Sequence, residues 1–114
     1  MSHVYKIMPR AEWIAAQDAR CFKGSAADLR DGYIHLSTAE QAAETARLHF
    51  AGQDGLILLR ISVEPLGERL RWEPSRGGRL FPHLYGPLDP AEVAAAQPLE
   101  LNVEGWPDPG PLEA

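Results

Sequence analysis

The chain has 114 residues, of which 45% are hydrophobic and 24% are charged, and its formal net charge at pH 7 is −5. This composition is that of an ordinary folded protein, and the length suits one domain. The acidic balance disfavours a protein that coats nucleic acid, because such proteins are usually basic. The longest apolar run, LILL at residues 56–59, is far shorter than the roughly 20 apolar residues of a membrane-spanning helix.

Features that report on the cellular compartment are few but agree with one another. The chain has a single cysteine, Cys21, which cannot form an internal disulfide. Residues 1–6 contain no apolar signal segment. We therefore expect a cytoplasmic protein that does not bind a membrane.

A strand, a helix and a loop are predicted in the first third of the chain. Residues 4–7 predict a short strand, and the helix formers of residues 11–19 predict a helix. Trp13 and Ile14 are expected to provide the buried contacts of that helix. A loop with one helical turn at residues 26–29 is predicted to follow.

The middle of the chain carries the clearest signals. Residues 33–36 predict a buried strand, and Thr38 with Gln41 has the spacing of a capping box for a helix over residues 39–50. Residues 56–62 are apolar almost without interruption rather than alternating. This pattern predicts the central strand of a sheet.

The last third predicts two strands, a stiff loop and a short helix. Residues 70–73 predict a strand, and two prolines with a glycine predict that residues 81–86 form a rigid non-helical loop. The sequence DPAE at residues 89–92 predicts the start of a helix that continues to residue 97, and residues 99–103 predict a last strand.

Together these elements predict an α+β domain with a strongly bent or split, mainly antiparallel sheet and about three helices. Residues 1–103 are expected to form this single domain. Residues 104–114 are expected to form a proline-rich, extended or disordered tail anchored by Trp106.

His35 is the most informative polar residue, because it lies in an apolar strand directly before two hydroxyl residues and a helix start. In that position an imidazole can bond a ligand hydroxyl, while the helix start attracts a phosphate or a polar amide. A core histidine bonded to a backbone carbonyl, with Ser37 and Thr38 serving only as caps, is the alternative interpretation.

The segment FPHLYG at residues 81–86 is the second candidate. It places His83 and Tyr85 on a stiff backbone shortly after Arg76 and Arg79, which is a usual way to build a ligand wall. The alternative is a connection whose aromatic residues simply cover the core.

Metal binding has little support in the sequence. No two histidines have a metal-ligand spacing. A zinc site would need His35 and His83 to meet a carboxylate such as Glu40 or Glu73. We therefore predict no metal site.

The segments GYIHLST (residues 32–38), WEPS (residues 72–75) and FPHLYG (residues 81–86) resemble the bacterial family called domain of unknown function 952, or DUF952. The resemblance covers roughly residues 5–99. That family resembles a small member of the ADP-ribosylation fold, in which a split sheet forms a cleft for NAD. The resemblance implies NAD or a related nucleotide as ligand or substrate.

The resemblance also implies roles for individual residues. His35 would contact a ribose hydroxyl, Ser37 and Thr38 would lie beside the carboxamide, and Tyr85 would stack on the nicotinamide ring. Beyond the resemblance, the pairing of a histidine at a strand end with a stiff loop that bears His, Tyr and Arg suggests His83 as the titrating group.

Arg76 or Arg79 would be the phosphate partner, since the arginine fork suits phosphate well.

Two departures from the ADP-ribosylation pattern leave the question of catalysis open. Leu36 stands where many of these enzymes have glycine after the histidine, and the late Glu or Gln motif that directs ADP-ribosyl transfer is not evident. Catalysis would be ADP-ribosyl or phosphoryl transfer. The alternative is a non-catalytic binding or interaction module that retains the fold without the chemistry.

Overall fold

Two antiparallel three-stranded sheets form the framework of the protein. The computed structural model describes residues 2–114, apart from the side chain of Arg76. The strands are β1 (His3–Pro9), β2 (Ile34–His35), β3 (Leu56–Ser62), β4 (Leu70–Pro74), β5 (Leu80–Leu84) and β6 (Val93–Leu99). The first sheet has the order β1-β3-β6 and the second the order β2-β5-β4. The predicted α+β class with a split, antiparallel sheet is therefore confirmed.

The two sheets meet at residues 34–37, which we call the sheet junction. Leu36 N donates to the carbonyl of Pro82, next to the pairing of β2 with β5. One residue later, Ser37 exchanges two backbone hydrogen bonds of 2.7 and 2.9 Å with Tyr5 in β1. The chain thus passes from the second sheet to the first within a few residues, and the sheets diverge from this point.

The described residues form three α-helices: α1 (Arg10–Ala19), α2 (Ala26–Asp31) and α3 (Ala39–His49). α1 and α3 were predicted as helices, whereas α2 stands where a loop with one helical turn was expected. The capping box of Thr38 and Gln41 begins α3 as expected. α1 buries Trp13 but not Ile14, which is 49% exposed, so that part of the prediction is wrong. Ala16, one turn after Trp13, is the second buried residue of the helix. No helix within residues 2–114 is long and apolar enough to cross a membrane.

Apolar cores cover both faces of β3. Ile57, Leu59 and Ile61 belong to one core cluster, which includes Trp13 of α1. Leu56 and Leu58 belong to a second cluster, which includes Ala42 and Ala46 of α3. Because successive strand residues face opposite sides, burial on both faces explains why the strand is apolar throughout. The prediction of a central strand at residues 56–62 is confirmed.

The segment predicted as a stiff loop at residues 81–86 is mostly strand, and this prediction is wrong. Residues 81–84 lie in β5, the middle strand of the second sheet, and all four are buried. Pro82 has no N–H to donate, but it faces Leu36, just beyond the end of the two-residue strand β2. The short partner strand is what allows a proline in the middle of this sheet.

The predicted helix over residues 93–97 is also wrong, and so is the predicted last strand at residues 99–103. A capping box does start a 3-10 turn at Pro90–Glu92, but β6 follows it directly. Residues 95–99 pair with residues 56–60 of β3. This pairing outweighs the helix preference of three consecutive alanines, since intrinsic propensity is a weak signal beside tertiary contacts.

The C-terminal tail lies against the body of the protein. Trp106 and Leu112 pack against the core cluster between the first sheet and α3, which confirms Trp106 as an anchor. The hydroxyl of Tyr5 donates to the carbonyl of Glu113. The last residues therefore cover part of the first sheet.

Candidate functional site

A cavity of about 550 Å³ opens beside the sheet junction. Its walls come from β1, α2, the sheet junction, α3 and β5, so the separation of the two sheets creates it. His35, Ser37 and His83 line it, together with apolar side chains such as Ile7 and Phe81. A concave site of this size with a few polar groups is typical of small-molecule binding sites.

His35 and His83 occupy directly opposite positions on β2 and β5. Their ring centroids are 5.8 Å apart, with the rings nearly perpendicular. Opposite residues of an antiparallel pair point to the same face of the sheet. The two histidines that the sequence singled out separately are thus neighbours in one cavity.

His35 connects α2 to the second sheet. Its Nδ1 lies 2.6 Å from Asp28 Oδ1, and its Nε2 lies 3.0 Å from Asp31 Oδ2. The side chain is 36% exposed, whereas that of Asp28 is 1% exposed. Because a carboxylate only accepts hydrogen bonds, a ring that carries both N–H groups would donate one bond at each side.

Asp28 is the buried centre of a polar network that joins three elements. It lies 2.9 Å from Lys6 Nζ of β1, and it accepts the backbone N–H groups of Ser25 and His35. Burial by itself would raise the pKa of Asp28, but the hydrogen bond from His35 and the charge of Lys6 outweigh burial. The pKa of this carboxyl is therefore held far below its ordinary value, and the group stays ionised.

His83 is 3% exposed and faces a different carboxylate. Its Nδ1 lies 2.8 Å from Glu73 Oε1, which also accepts a 2.8 Å hydrogen bond from the Tyr85 hydroxyl. These two donors, His83 first, lower the pKa of Glu73. The same contact with Glu73 raises the pKa of Tyr85, because ionisation of the phenol would put two negative charges together.

Aromatic rings surround His83 on this face of the second sheet. Tyr33 stacks on its imidazole with centroids 4.0 Å apart and an angle of 25° between the planes. Tyr85 lies 5.4 Å from Tyr33, and the guanidinium of Arg71 lies 4.5 Å from the Tyr85 ring centroid. The orientation of the His83 ring is thus fixed from several sides.

The other predicted site residues are distributed unevenly around the cavity. Ser37 lines it, with its hydroxyl 3.0 Å from that of Thr45, whereas Thr38 and Tyr85 are outside the lining. Arg79 forms an exposed ion pair with Glu44 and is also outside the lining. The side chain of Arg76 falls outside the described part of the chain.

The Thr38 hydroxyl accepts a hydrogen bond from Gln41 N at the start of α3, and the Gln41 side chain also donates to the carbonyl of Leu80 in β5. Thr38→Ala is expected to lower the free energy of unfolding by about 1 kcal/mol, the usual value for loss of a cap. Thr38→Ser keeps the accepting oxygen and should stay close to the wild type. Urea denaturation of the three proteins tests this, and an alanine variant as stable as the serine variant would contradict it.

Sequence reasoning missed two residues of the polar network, Lys6 and Asp28. Lys6 carried a usable signal, because it is a charged residue between Tyr5 and Ile7 in an apolar strand, and such a residue needs a buried partner. Nothing in the local pattern of Asp28 marks it as that partner.

Glu73 and Tyr33 were missed as neighbours of His83. In FPHLYG, residues with aromatic or imidazole rings alternate with other residues, which places Phe81, His83 and Tyr85 on one face of a strand. This alternation is the signal that could have revealed the strand and the face on which His83 lies. Glu73 was considered only as a possible zinc ligand. Among the side chains that the structure describes, no group of three or more His, Cys, Asp or Glu could hold a metal ion.

Comparisons with known proteins agree with the motifs. The family model described as Protein of unknown function (DUF952) matches residues 7–96. The crystal structure of protein CC0527 from Caulobacter crescentus is 54% identical in sequence, with a TM-score of 0.91 and 94% of each chain covered. The solution NMR structure of CC0527 is 55% identical, with a TM-score of 0.86, and the match covers 94% of this chain and 92% of that one. No curated protein matches this chain. The chain therefore belongs to the DUF952 family, as the motifs at residues 32–38 and 81–86 predicted.

Proposed function

We propose that the cavity beside the sheet junction binds NAD or a related nucleotide, in the way that proteins of the ADP-ribosylation fold use the cleft of their split sheet. The observation that carries this proposal is the meeting of His35, Ser37 and His83 in one cavity of about 550 Å³. That volume lies within the usual range of small-ligand sites, roughly 300–1,000 Å³.

The charges around the cavity suit an anionic ligand. Lys6 and Asp28 lie in the wall and neutralise each other. Arg30 also lies in the wall, and its described ionic partner Asp31 is not one of the lining residues. The Arg30 side chain is 73% exposed, and an ion pair exposed to solvent is weak. The lining residues themselves therefore carry two positive charges, on Lys6 and Arg30, against one negative charge on Asp28, and this balance favours a phosphate-bearing ligand.

The two histidines have different parts in the proposal. His83 supplies Nε2 as a hydrogen-bond acceptor, since Glu73 occupies Nδ1. His35, at the more exposed edge of the cavity, contacts a ribose hydroxyl of the ligand. This hydroxyl either replaces the Asp31 carboxylate at the His35 ring or lies beside it. Ser37 supplies a hydroxyl near the polar end of the ligand. Phe81 supplies an apolar wall.

Binding without group transfer is the second candidate function, and one observation favours it. The only carboxylate in the described lining is Asp28, which is already bonded to Lys6, His35 and Ser25. It is not free to act on a ligand. A binding module of this fold, without transfer chemistry, fits that arrangement.

We expect His83→Asn to weaken nucleotide binding about tenfold, the effect of losing one buried hydrogen bond. The asparagine amide can still donate to Glu73 but has no atom at the position of Nε2. Isothermal titration calorimetry with NAD, ADP-ribose, AMP, nicotinamide and 2′-phosphorylated ribonucleotides provides the measurement. His83→Gln, which places an amide oxygen near the Nε2 position, should bind more tightly than His83→Asn.

His3→Ala is the matched control, because His3 lies outside the cavity lining and the one hydrogen bond described for its side chain is with the carbonyl of Ala114. If none of these nucleotides binds to the folded wild-type protein, the proposed ligand class is ruled out. Chromatography of NAD incubated with the protein separates the two candidates: released nicotinamide indicates transfer or hydrolysis, and intact NAD that binds indicates a binding module.

A further inference from the structure

The two histidines of the second sheet each face a carboxylate, but the arrangements differ. His35 has carboxylate oxygens near both ring nitrogens, those of Asp28 and Asp31. His83 has one near Nδ1 alone, the Oε1 of Glu73 at 2.8 Å. Within the described part of the chain, no group bonds Nε2 of His83, although the ring lines the cavity.

The partner of Nδ1 decides where the ring proton lies. An ionised carboxylate can accept a hydrogen bond but cannot donate one, so Nδ1 of His83 must carry the hydrogen. In the neutral ring Nε2 then holds the lone pair. The lowered pKa of Glu73 keeps its carboxyl ionised, in agreement with this geometry.

Glu73 is held in place by its own neighbours. The Tyr85 hydroxyl donates to the same oxygen at 2.8 Å, and the Arg71 guanidinium lies over the Tyr85 ring. Tyr33 stacks on the other partner, the His83 ring. Both members of the Glu73–His83 pair are thus restrained in the absence of a ligand.

We propose that Glu73 is a positioning residue for this cavity: it accepts the Nδ1–H of His83 and so presents the Nε2 lone pair to the cavity as a fixed acceptor. The inference deepens the proposed function. Its statement that a ligand uses the Nε2 acceptor rests on the proposed nucleotide binding. A ribose hydroxyl or a carboxamide N–H would donate to Nε2, whereas a group without a donor would not.

The tautomer of His83 in the ligand-free protein tests this assignment and can be determined from the ¹⁵N chemical shifts of the ring. At about pH 8.5, where an ordinary histidine is neutral, the wild type should show a protonated Nδ1 and an unprotonated Nε2. Glu73→Leu removes the acceptor, so the proton should move to Nε2 or be shared between the two nitrogens. Glu73→Gln retains an accepting oxygen and should keep the wild-type pattern.

Glu100→Leu is the matched control, since Glu100 is exposed and outside the cavity lining. A wild-type His83 protonated at Nε2, or an unchanged pattern in Glu73→Leu, would overturn the assignment. If Glu73→Leu does not fold, the spectra of the wild type and Glu73→Gln decide the question. Because no ligand is present, the result does not depend on whether any nucleotide binds.

Discussion

Asp28→Asn is expected to lower the free energy of unfolding by about 3 kcal/mol or more, the usual effect of removing one partner of a buried ion pair. The asparagine leaves the Lys6 ammonium, 8% exposed, without a compensating charge. Its amide group also places N–H donors where the donors of Lys6 and His35 already point. Loss of this amount is a large part of the 5–15 kcal/mol that usually stabilises a small domain. Guanidinium denaturation at pH 7 provides the measurement.

Asp31→Asn is the control for that experiment. It makes the same change in the same helix and affects the same histidine, but the Asp31 side chain is 33% exposed. Exposed ion pairs contribute about 0–1 kcal/mol, so its effect should be small. Equal losses in the two variants would mean that burial of Asp28 is not what makes it important.

The pH dependence of stability provides a second check on Asp28. Its folded-state pKa is depressed, so the stability that it contributes is complete above the unfolded-state pKa of about 4. That contribution is lost as the pH falls from there through the folded-state pKa. The wild type should therefore lose stability faster than Asp28→Asn as the pH is lowered from about 5 to 2. Parallel curves would show that another group causes the acid sensitivity.

Leu59→Ala is expected to lower the free energy of unfolding by about 3 kcal/mol, within the usual range of about 2–5 kcal/mol for a buried leucine. Leu59 is 0% exposed at the middle of β3, where neighbouring strands on both sides limit how far the structure can collapse into the new space. Leu29→Ala makes the same chemical change at a side chain that is 65% exposed. That variant should differ little from the wild type in denaturant midpoint, and a comparable loss would contradict the packing argument.

Elements with strong local signals could be predicted from the sequence. The unbroken apolar run at residues 56–62 identified β3, because a strand buried on both faces needs no polar alternation. Thr38 and Gln41 identified the start of α3, because a capping box depends only on residues three apart. In both segments the local preference and the tertiary environment favour the same structure.

Prediction failed where distant segments decide the structure. Residues 94–96 are alanines, which favour a helix, but the open edge of β3 makes them part of β6. Pro82 suggested a loop, and only the shortness of β2 makes a strand possible there. The partnership of His83 with Glu73 depends on the register of β4 against β5, which no local pattern contains.

The same limit applies to the candidate site. His35 and His83 were identified one at a time, since each lies in a recognisable motif. Their closeness follows from the antiparallel pairing of β2 with β5. The contact of Asp28 with Lys6 follows from the packing of α2 on both sheets. A single sequence therefore predicts candidate residues better than it predicts their partners.

The sheet junction has a consequence for the thermodynamics of binding. Residues 36 and 37 hold the two sheets at a fixed separation through three backbone hydrogen bonds, two to Tyr5 and one to Pro82. Parting the two sheets at the junction would break these bonds, so the shape of this end of the cavity is set when the protein folds rather than when a ligand arrives. A ligand that fits would lose its own freedom of motion but would not have to order the protein, and such preorganisation favours tight binding of small, rigid molecules.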